Sequence, residues 1–346
     1  MSAARPRPSD RRRVSRALAQ ALALAAALAF ASGYFGDIVP FFDTLAHFRA
    51  HLAVLLLLAG LALLVIRPVT TGLAAIILGA FGLFSVYPAM LPAASLASAP
   101  GGTARYTLLQ MNLRWSATDR TAAIRLIGEL SPDVVTLQEA RKEWRPLLQS
   151  LSARYPYRFD CTGPRAYFDV VILSRRPFAS DDPGDCDRPG TFASRTVDFN
   201  GQALTIATQH LTWPWPGRQW RQLEQLQDRL RRLRRLGTPI LIAGDFNAAP
   251  WSAALRTYAA ASGTDIVPNV GPSWFFQPFT RRLAPYAGLP IDNILASPGI
   301  DILDVARQPA TGSDHLPLLV TFGVDSALPG VVGPQRSIVE RRALDN

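Results

Sequence analysis

Three apolar runs in the first ninety residues constrain this chain more than anything else it carries. Residues 17–35, 52–66 and 69–86 are free of charged side chains. A helix needs about 20 apolar residues, with a range starting near 17, to cross a bilayer. The first and third runs reach that length; the second is short and needs flanking residues that snorkel to the interface. Arg67-Pro68 divides the second run from the third. Together those two runs are too long for one span, and proline there favours a turn. The reading is three transmembrane helices over residues 17–87, with a signal peptide followed by a hairpin as the alternative.

Charge then sets the orientation. Residues 1–16 carry Arg5, Arg7, Arg11, Arg12, Arg13 and Arg16 against Asp10 alone. Basic flanks stay on the cytoplasmic side, and Arg67 marks a second cytoplasmic point. Residues 36–51 and everything after 87 are expected outside. The net charge of +10 is thereby half explained, since half of it falls before residue 101. A basic excess otherwise points to nucleic acid or anionic lipid. The only cysteines, Cys161 and Cys186, are free thiols in a cytosolic protein. Outside, a disulfide between them is favoured, worth roughly 3–4 kcal/mol by the loop-closure argument.

Residues 88–104, rich in Ala, Pro, Ser and Gly, read as a linker. Residues 105–323 alternate strand-like and helical patterns, and 324–346 read as a loose tail. Strands are expected at 106–112, 133–138, 168–174, 191–199, 203–211, 239–247, 291–297 and 316–322. Helices are expected at 119–130, 143–152 and 218–236, the last with Trp220, Leu223, Leu226, Leu230 and Leu233 at three- and four-residue spacing. Mixed crossovers and hairpins argue for an α/β sandwich with at least one mixed sheet.

Polar residues recur at the ends of these strands: Gln110 and Asn112, Gln138 and Glu139, Gln209 and His210, Asp245 and Asn247, Asp292, and Asp314 with His315. One carboxylate at a strand end is usually a cap or a solvated residue; six such places in one domain suggest an active site. Of four histidines, the two in the soluble part, His210 and His315, both lie in these clusters. The inventory suits metal-assisted phosphoester hydrolysis. Asn112 and Glu139 offer hard oxygens to Mg2+, with Mn2+ as a substitute. Asp245 is placed to activate water, and Asn247 to fix it or to bond a phosphate. His210 and His315 would donate to the transition state, with Asp292 or Asp314 orienting one of them.

In order along the chain, QMN, DVVTLQE, VILSRRP, TQHL, GDFN, IDNILAS and SDHLP resemble the endonuclease/exonuclease/phosphatase superfamily. The resemblance spans residues 105–323 and implies a four-layer α/β sandwich of the DNase I-like kind, preceded here by the three transmembrane helices. It implies Asn112, Glu139 and Asp314 at the metal, and His210, Asp245, Asn247, Asp292 and His315 as the catalytic set, with Asp292 orienting His315. Arg176, Trp213 and Trp215 are the expected substrate contacts. Asp169 stands where relatives often carry a small residue; it either alters substrate fit or is a solvated strand-end carboxylate. Three helices before an external domain of this family are similar to bacterial membrane proteins linked to teicoplanin resistance. That likeness implies a multi-pass protein of the bacterial plasma membrane, with its catalytic domain periplasmic or extracellular. The partners implied are the lipid bilayer and a phosphorylated substrate, either a lipid phosphate or a nucleic acid. The alternatives are a tethered external nuclease and a non-catalytic protein that binds phosphorylated ligands. The run Arg229, Arg231, Arg232, Arg234 and Arg235 either grips phosphate or is the solvated face of its helix.

Overall fold

In the computed structural model, which describes residues 8–91, 104–163, 169–275 and 287–324, the apolar runs are helices. They are α1 (Pro8–Ser32), α3 (Arg49–Ile66) and α4 (Val69–Met90), separated by a short α2 (Pro40–Ala46). α1, α3 and α4 are each long and apolar enough to cross a membrane. α3 and α4 pack closely because small residues line their contact. A Cβ on Gly60 would stand 2.7 Å from the Gly72 carbonyl oxygen, and one on Gly79 would stand 2.7 Å from that of Ala53. Close backbone approach of this kind holds helices together where lipid removes the hydrophobic drive. Leu22, Leu28, Leu58, Ile77, Phe81 and Phe84 point outward instead. Arg67 makes the turn between α3 and α4 with a left-handed backbone, φ 72°.

Arg5, Arg7, residues 92–103 of the expected linker and the tail from 325 lie outside the described residues. Pro88–Met90, expected in the linker, instead complete α4. Pro88 sits in the last turn, where its missing N–H costs the helix one bond near its end, and the carbonyls of Pro88 and Ala89 accept the Asn269 and Gly271 amides at 3.0 Å each. This end of α4 and the α1–α3 connection both touch the sheet-bearing part of the chain, so Arg67 lies at the far end of the helical bundle.

The part of the chain after residue 104 holds two six-stranded sheets. The first comprises β1 (Arg105–Asn112), β2 (Val134–Gln138), β3 (Tyr157–Cys161), β4 (Val170–Ser174), β11 (Ile300–Arg307) and β12 (Leu318–Val324), in the order β11-β12-β1-β2-β4-β3. The second comprises β5 (Asp185–Cys186), β6 (Phe192–Asp198), β7 (Ala203–His210), β8 (Ile240–Asp245), β9 (Asp265–Ile266) and β10 (Asp292–Ala296), in the order β5-β6-β7-β8-β10-β9. Each sheet contains one parallel pair, β1–β2 in the first and β7–β8 in the second. Each parallel pair is bridged by a crossover helix, as parallel strands require: α5 (Thr121–Leu130) in the first and α7 (Arg218–Arg234) in the second.

Leu108, Val134, Ile172, Ile206, Leu241, Ile294 and Val320 fill the space between the sheets. α5 and α6 (Arg145–Gln149) cover the outer face of the first sheet through Ile127, Leu126 and Leu148. α7 and α8 (Ala253–Ser262) cover the second through Leu223, Leu226, Leu230 and Tyr258. The result is helix, sheet, sheet, helix: the expected four layers. Cys161 and Cys186 are joined by a disulfide, which ties β3 at the edge of one sheet to β5 at the edge of the other.

Candidate active site

Strand direction brings the polar strand ends together. β1 and β2 run parallel with Asn112 beside Gln138, and β7 and β8 run parallel with His210 beside Asp245. β10 enters antiparallel, so its first residue, Asp292, stands opposite Asp245. Carboxyl ends of β1, β2, β7 and β8 thus share one edge of the sandwich. His315 reaches the same edge from the segment before β12, where it bridges to Trp274.

Asp245 is the hub. It is 1% exposed, and its Oδ2 lies 3.5 Å from His210 Nε2 and 3.6 Å from His315 Nε2. Asn112 Nδ2 donates to the same oxygen at 2.9 Å, while Asp245 Oδ1 accepts the Asn247 amide at 2.9 Å. Asn247 has a left-handed backbone, φ 46°, which asparagine tolerates better than most residues. Its side chain donates to the Leu211 carbonyl at 2.8 Å. Behind His315, Asp292 Oδ2 accepts Nδ1–H at 2.7 Å, and Gln110 Nε2 donates to Asp292 Oδ1 at 2.9 Å. Gln110 also donates to Gln138 Oε1, and Gln138 to Thr208 Oγ1, each at 2.8 Å. Asp292 and these polar partners are fully buried, and a network of this kind is rigid only when its groups are paired.

The electrostatics separate the two central groups. Burial pushes Asp245 up to about 6, with Asp292 adding to it against the pull of His315 and His210. Burial alone would lower His315. The carboxylates of Asp292 and Asp245, with the Asp292 hydrogen bond, outweigh it and hold the imidazolium up to about 10. A buried carboxylate that protonates readily beside a histidine that keeps its proton is a base and an acid in one pocket.

Glu139 stands at the rim with a left-handed backbone, φ 57°. Asn112 Nδ2 donates to its Oε1 at 3.1 Å and the Trp115 amide to its Oε2 at 2.7 Å, and His210 Nε2 lies 3.9 Å from Oε1. The Asn112 oxygen accepts the Arg114 amide at 2.9 Å, so Asn112 bridges the Glu139 and Asp245 carboxylates through its nitrogen. Asp314 receives Trp274 Nε1 at 3.3 Å and lies 3.9 Å from Arg114 Nε. Among the described residues, ligand atoms of Asp245, Asp292 and His315 lie close enough together to hold a metal ion. The Nδ1 of that histidine, however, is already spent on Asp292, which fits an oriented imidazolium better than a ligand. Glu139 offers hard oxygens at the rim, each of which already accepts one hydrogen bond.

The expected substrate contacts divide. Trp213 and Trp215 flank a cavity of about 260 Å3 lined also by His210, Thr212, Arg218 and Asn247. Arg176 is not brought to the site. It follows Ser174, at the opposite end of β4, where it pairs with Asp133 at 2.9 Å and its guanidinium lies 4.5 Å over the Tyr106 ring. A strand alternates its faces but cannot fold back on itself, so the two ends of a five-residue strand serve different edges. Asp169 is not solvated: it is 2% exposed, its side chain accepts the Gly163 amide at 3.3 Å, and burial raises its pKa. The arginine run on α7 has two ion-paired members, Arg229 with Asp185 and Arg231 with Asp228. Trp274, which holds Asp314 in place, carried no sequence signal.

The model of the Endonuclease/Exonuclease/phosphatase family matches residues 109–315. Among solved structures, D. rerio TDP2 complexed with single-strand DNA product is 19% identical, with a TM-score of 0.51 over 64% of this chain and 100% of that one. A humanized D. rerio TDP2 is 21% identical, with a TM-score of 0.50 over 64% and 99%. An endonuclease/exonuclease/phosphatase from Beutenbergia cavernae is 20% identical, with a TM-score of 0.48 over 64% and 72%. No curated protein matches the chain.

Proposed function

The chain belongs to the endonuclease/exonuclease/phosphatase family, and from that premise we propose that it is a membrane-anchored, Mg2+-dependent hydrolase acting on the outer side of the membrane. As a family member it is a hydrolase of ester bonds. The substrate we assign is a lipid phosphate or another envelope phosphoester. The observation that carries the reading is the single buried Asp245 carboxylate, with two histidines within 3.6 Å of it and Asp292 behind one of them.

In this reading Asp245 takes the proton of the attacking water. Asn247 holds a phosphoryl oxygen, and its backbone geometry ties it to the base two residues earlier. His315, kept as imidazolium and oriented by Asp292, donates from Nε2 to the phosphoryl group, and His210 donates from the opposite side. Glu139 and Asp314 are the carboxylates we assign to Mg2+, which favours one or two carboxylates and retained waters; Asn112 would join them only with its amide turned over, since its nitrogen now faces the site. When bound there, the ion neutralises charge on the phosphate and polarises it.

The pH dependence follows from the two shifted groups. Asp245 must be ionised, so activity rises through about pH 6. His315 must stay protonated, so activity falls toward about pH 10. A kcat profile that is flat from pH 5 to pH 7 would remove Asp245 as the base.

Lipid is favoured because Trp215, beside the catalytic cavity, is exposed and packs against Phe41 of the connection between α1 and α3, their ring centroids 5.1 Å apart. That puts an aromatic rim on the bundle's side of the site. The alternative, a tethered nuclease, draws on the single-strand DNA product in the D. rerio relative. The test is phosphate release and strand cleavage by the full-length protein in lipid vesicles, with Mg2+ and with chelator. Substrates are isoprenyl phosphates, phospholipids, and single- and double-stranded DNA. Chelator-sensitive turnover of lipid phosphates is expected. Preferential DNA cleavage would make it the nuclease, and silence from folded protein would make it a phosphate-binding protein.

A further inference from the structure

The connection between α1 and α3 carries buried polar chemistry where a tether needs none. Asp43 is fully buried and accepts the amides of Ala253 and Ala254 at 2.7 and 2.9 Å. Ser252 caps the next amide of α8, that of Leu255, at 3.2 Å. Asp43 therefore serves donors that the helix's own cap leaves open. His47, also buried, donates from Nδ1 to the Asp43 carbonyl at 2.7 Å, and the Asn247 backbone lies against its ring. Burial lowers the His47 pKa against the opposing pull of Asp43, so the ring is neutral. Trp251 Nε1 donates to the Ala46 carbonyl at 2.6 Å, and Arg256 pairs with Asp37 at 2.7 Å.

These contacts converge on one stretch of the catalytic domain, residues 247–256. It begins at Asn247 and runs directly on from Asp245. Gln219 Nε2 grips the Asn247 carbonyl from the other side at 2.9 Å. Burying a carboxylate and an imidazole costs free energy that an apolar contact would not. Removing the Asp43 carboxylate would leave the Ala253 and Ala254 amides unpaired, and removing the His47 ring would take away what packs against the Asn247 backbone.

We propose that this connection is a working part of the catalytic centre: Asp43 and His47 are positioning residues that fix the turn carrying Asp245 and Asn247, so turnover depends on the docked membrane bundle. The inference rests on the roles assigned above to Asp245 and Asn247. The membrane part is then no mere anchor. A catalytic domain cut free of it would retain the same active-site side chains on a looser loop.

The test uses the full-length protein in detergent, with Mg2+ and bis(p-nitrophenyl) phosphate as probe. The variants are Asp43→Ala, Asp43→Asn and His47→Ala, with Leu58→Ala on the outward face of α3 as control. Misplacing a catalytic group by about 1 Å costs up to roughly a hundredfold, so Asp43→Ala and His47→Ala are expected to lower kcat about ten- to hundredfold with KM within about threefold. Asp43→Asn keeps one acceptor oxygen and recovers part of the loss. In both alanine variants, hydrogen exchange should quicken at the amides of residues 247–255 and stay unchanged in β1. Unchanged kcat with quickened exchange would reduce the connection to a tether. Unchanged exchange would show that the contact does not hold the loop. A wild-type protein that leaves the probe intact would overturn the hydrolase reading and the positioning role with it, whereas an active wild type with equally active variants overturns the positioning role alone.

Discussion

Asp245→Asn is expected to lower kcat by about 10²–10⁴, the range for losing a general base, while the protein stays folded. Asparagine has the shape of aspartate, so packing around this buried side chain is preserved. Its hydrogen bonds are not. If the asparagine oxygen keeps the Asn247 amide that Asp245 Oδ1 now accepts, its NH2 falls where Oδ2 stood. There it meets the Asn112 NH2, which now donates at 2.9 Å, and the Nε2 atoms of His210 and His315 at 3.5 and 3.6 Å. If it turns over, NH2 faces the Asn247 amide. Either way donors oppose donors, at a cost to stability of about 1–3 kcal/mol. The variant has a second signature. His315 owes part of its raised pKa to Asp245, so the alkaline limb of any residual activity moves to lower pH. Steady-state kinetics across pH, with a thermal melt as control, make the measurement. A variant within about threefold of wild type would remove Asp245 from the chemistry, since a base contributes at least about 10².

The sequence exposed most of this site because chemistry here sits at strand ends. The strands ending at Gln138 and Asp245 are short and fully buried on both faces, and the one ending at Asn112 is buried from Leu108 onward, so each polar residue at their tips is conspicuous. What the tips do to each other was not legible. That Asp292 rather than Asp314 orients His315 depends on β10 running antiparallel to β8, which puts Asp292 opposite Asp245. Asn112 had been expected to offer an oxygen; its neighbours turn the nitrogen inward. β11 escaped notice because it is an edge strand, where Asp301 and Asp304 interrupt the apolar pattern around a bulge. α2 escaped because seven residues between two apolar runs carry no periodicity. With it went Asp43 and His47, whose partners lie about two hundred positions away in the chain. A lone acid and a lone histidine in a short connection give no local sign of what they hold.

Asp292→Asn should be nearly as damaging as loss of the base, by about 10²–10⁴ in kcat, although Asp292 touches no substrate in the proposed mechanism. Its two oxygens are both committed, Oδ2 to His315 Nδ1–H at 2.7 Å and Oδ1 to Gln110 Nε2 at 2.9 Å. An asparagine has one acceptor for two donors. With its oxygen on His315, the NH2 opposes the Gln110 NH2, which cannot flip without losing Gln138. His315 then keeps its Nδ1 proton but, with the carboxylate gone, holds its positive charge less firmly and more readily presents a bare Nε2 to the phosphate. With the NH2 on His315, the ring takes the other tautomer: Nε2–H returns, but the positive charge does not. Both arrangements weaken the donor where charge develops in the transition state, and an orienting carboxylate matters for this reason. The pH profile distinguishes this from a packing defect. Asp292 is the first of the groups raising His315, so the alkaline limb near pH 10 should fall well toward the ordinary histidine value. A variant with wild-type kcat at pH 7 would mean that His315 needs no orienting partner. Reduced kcat with the alkaline limb unmoved would trace the loss to damage elsewhere in the buried network.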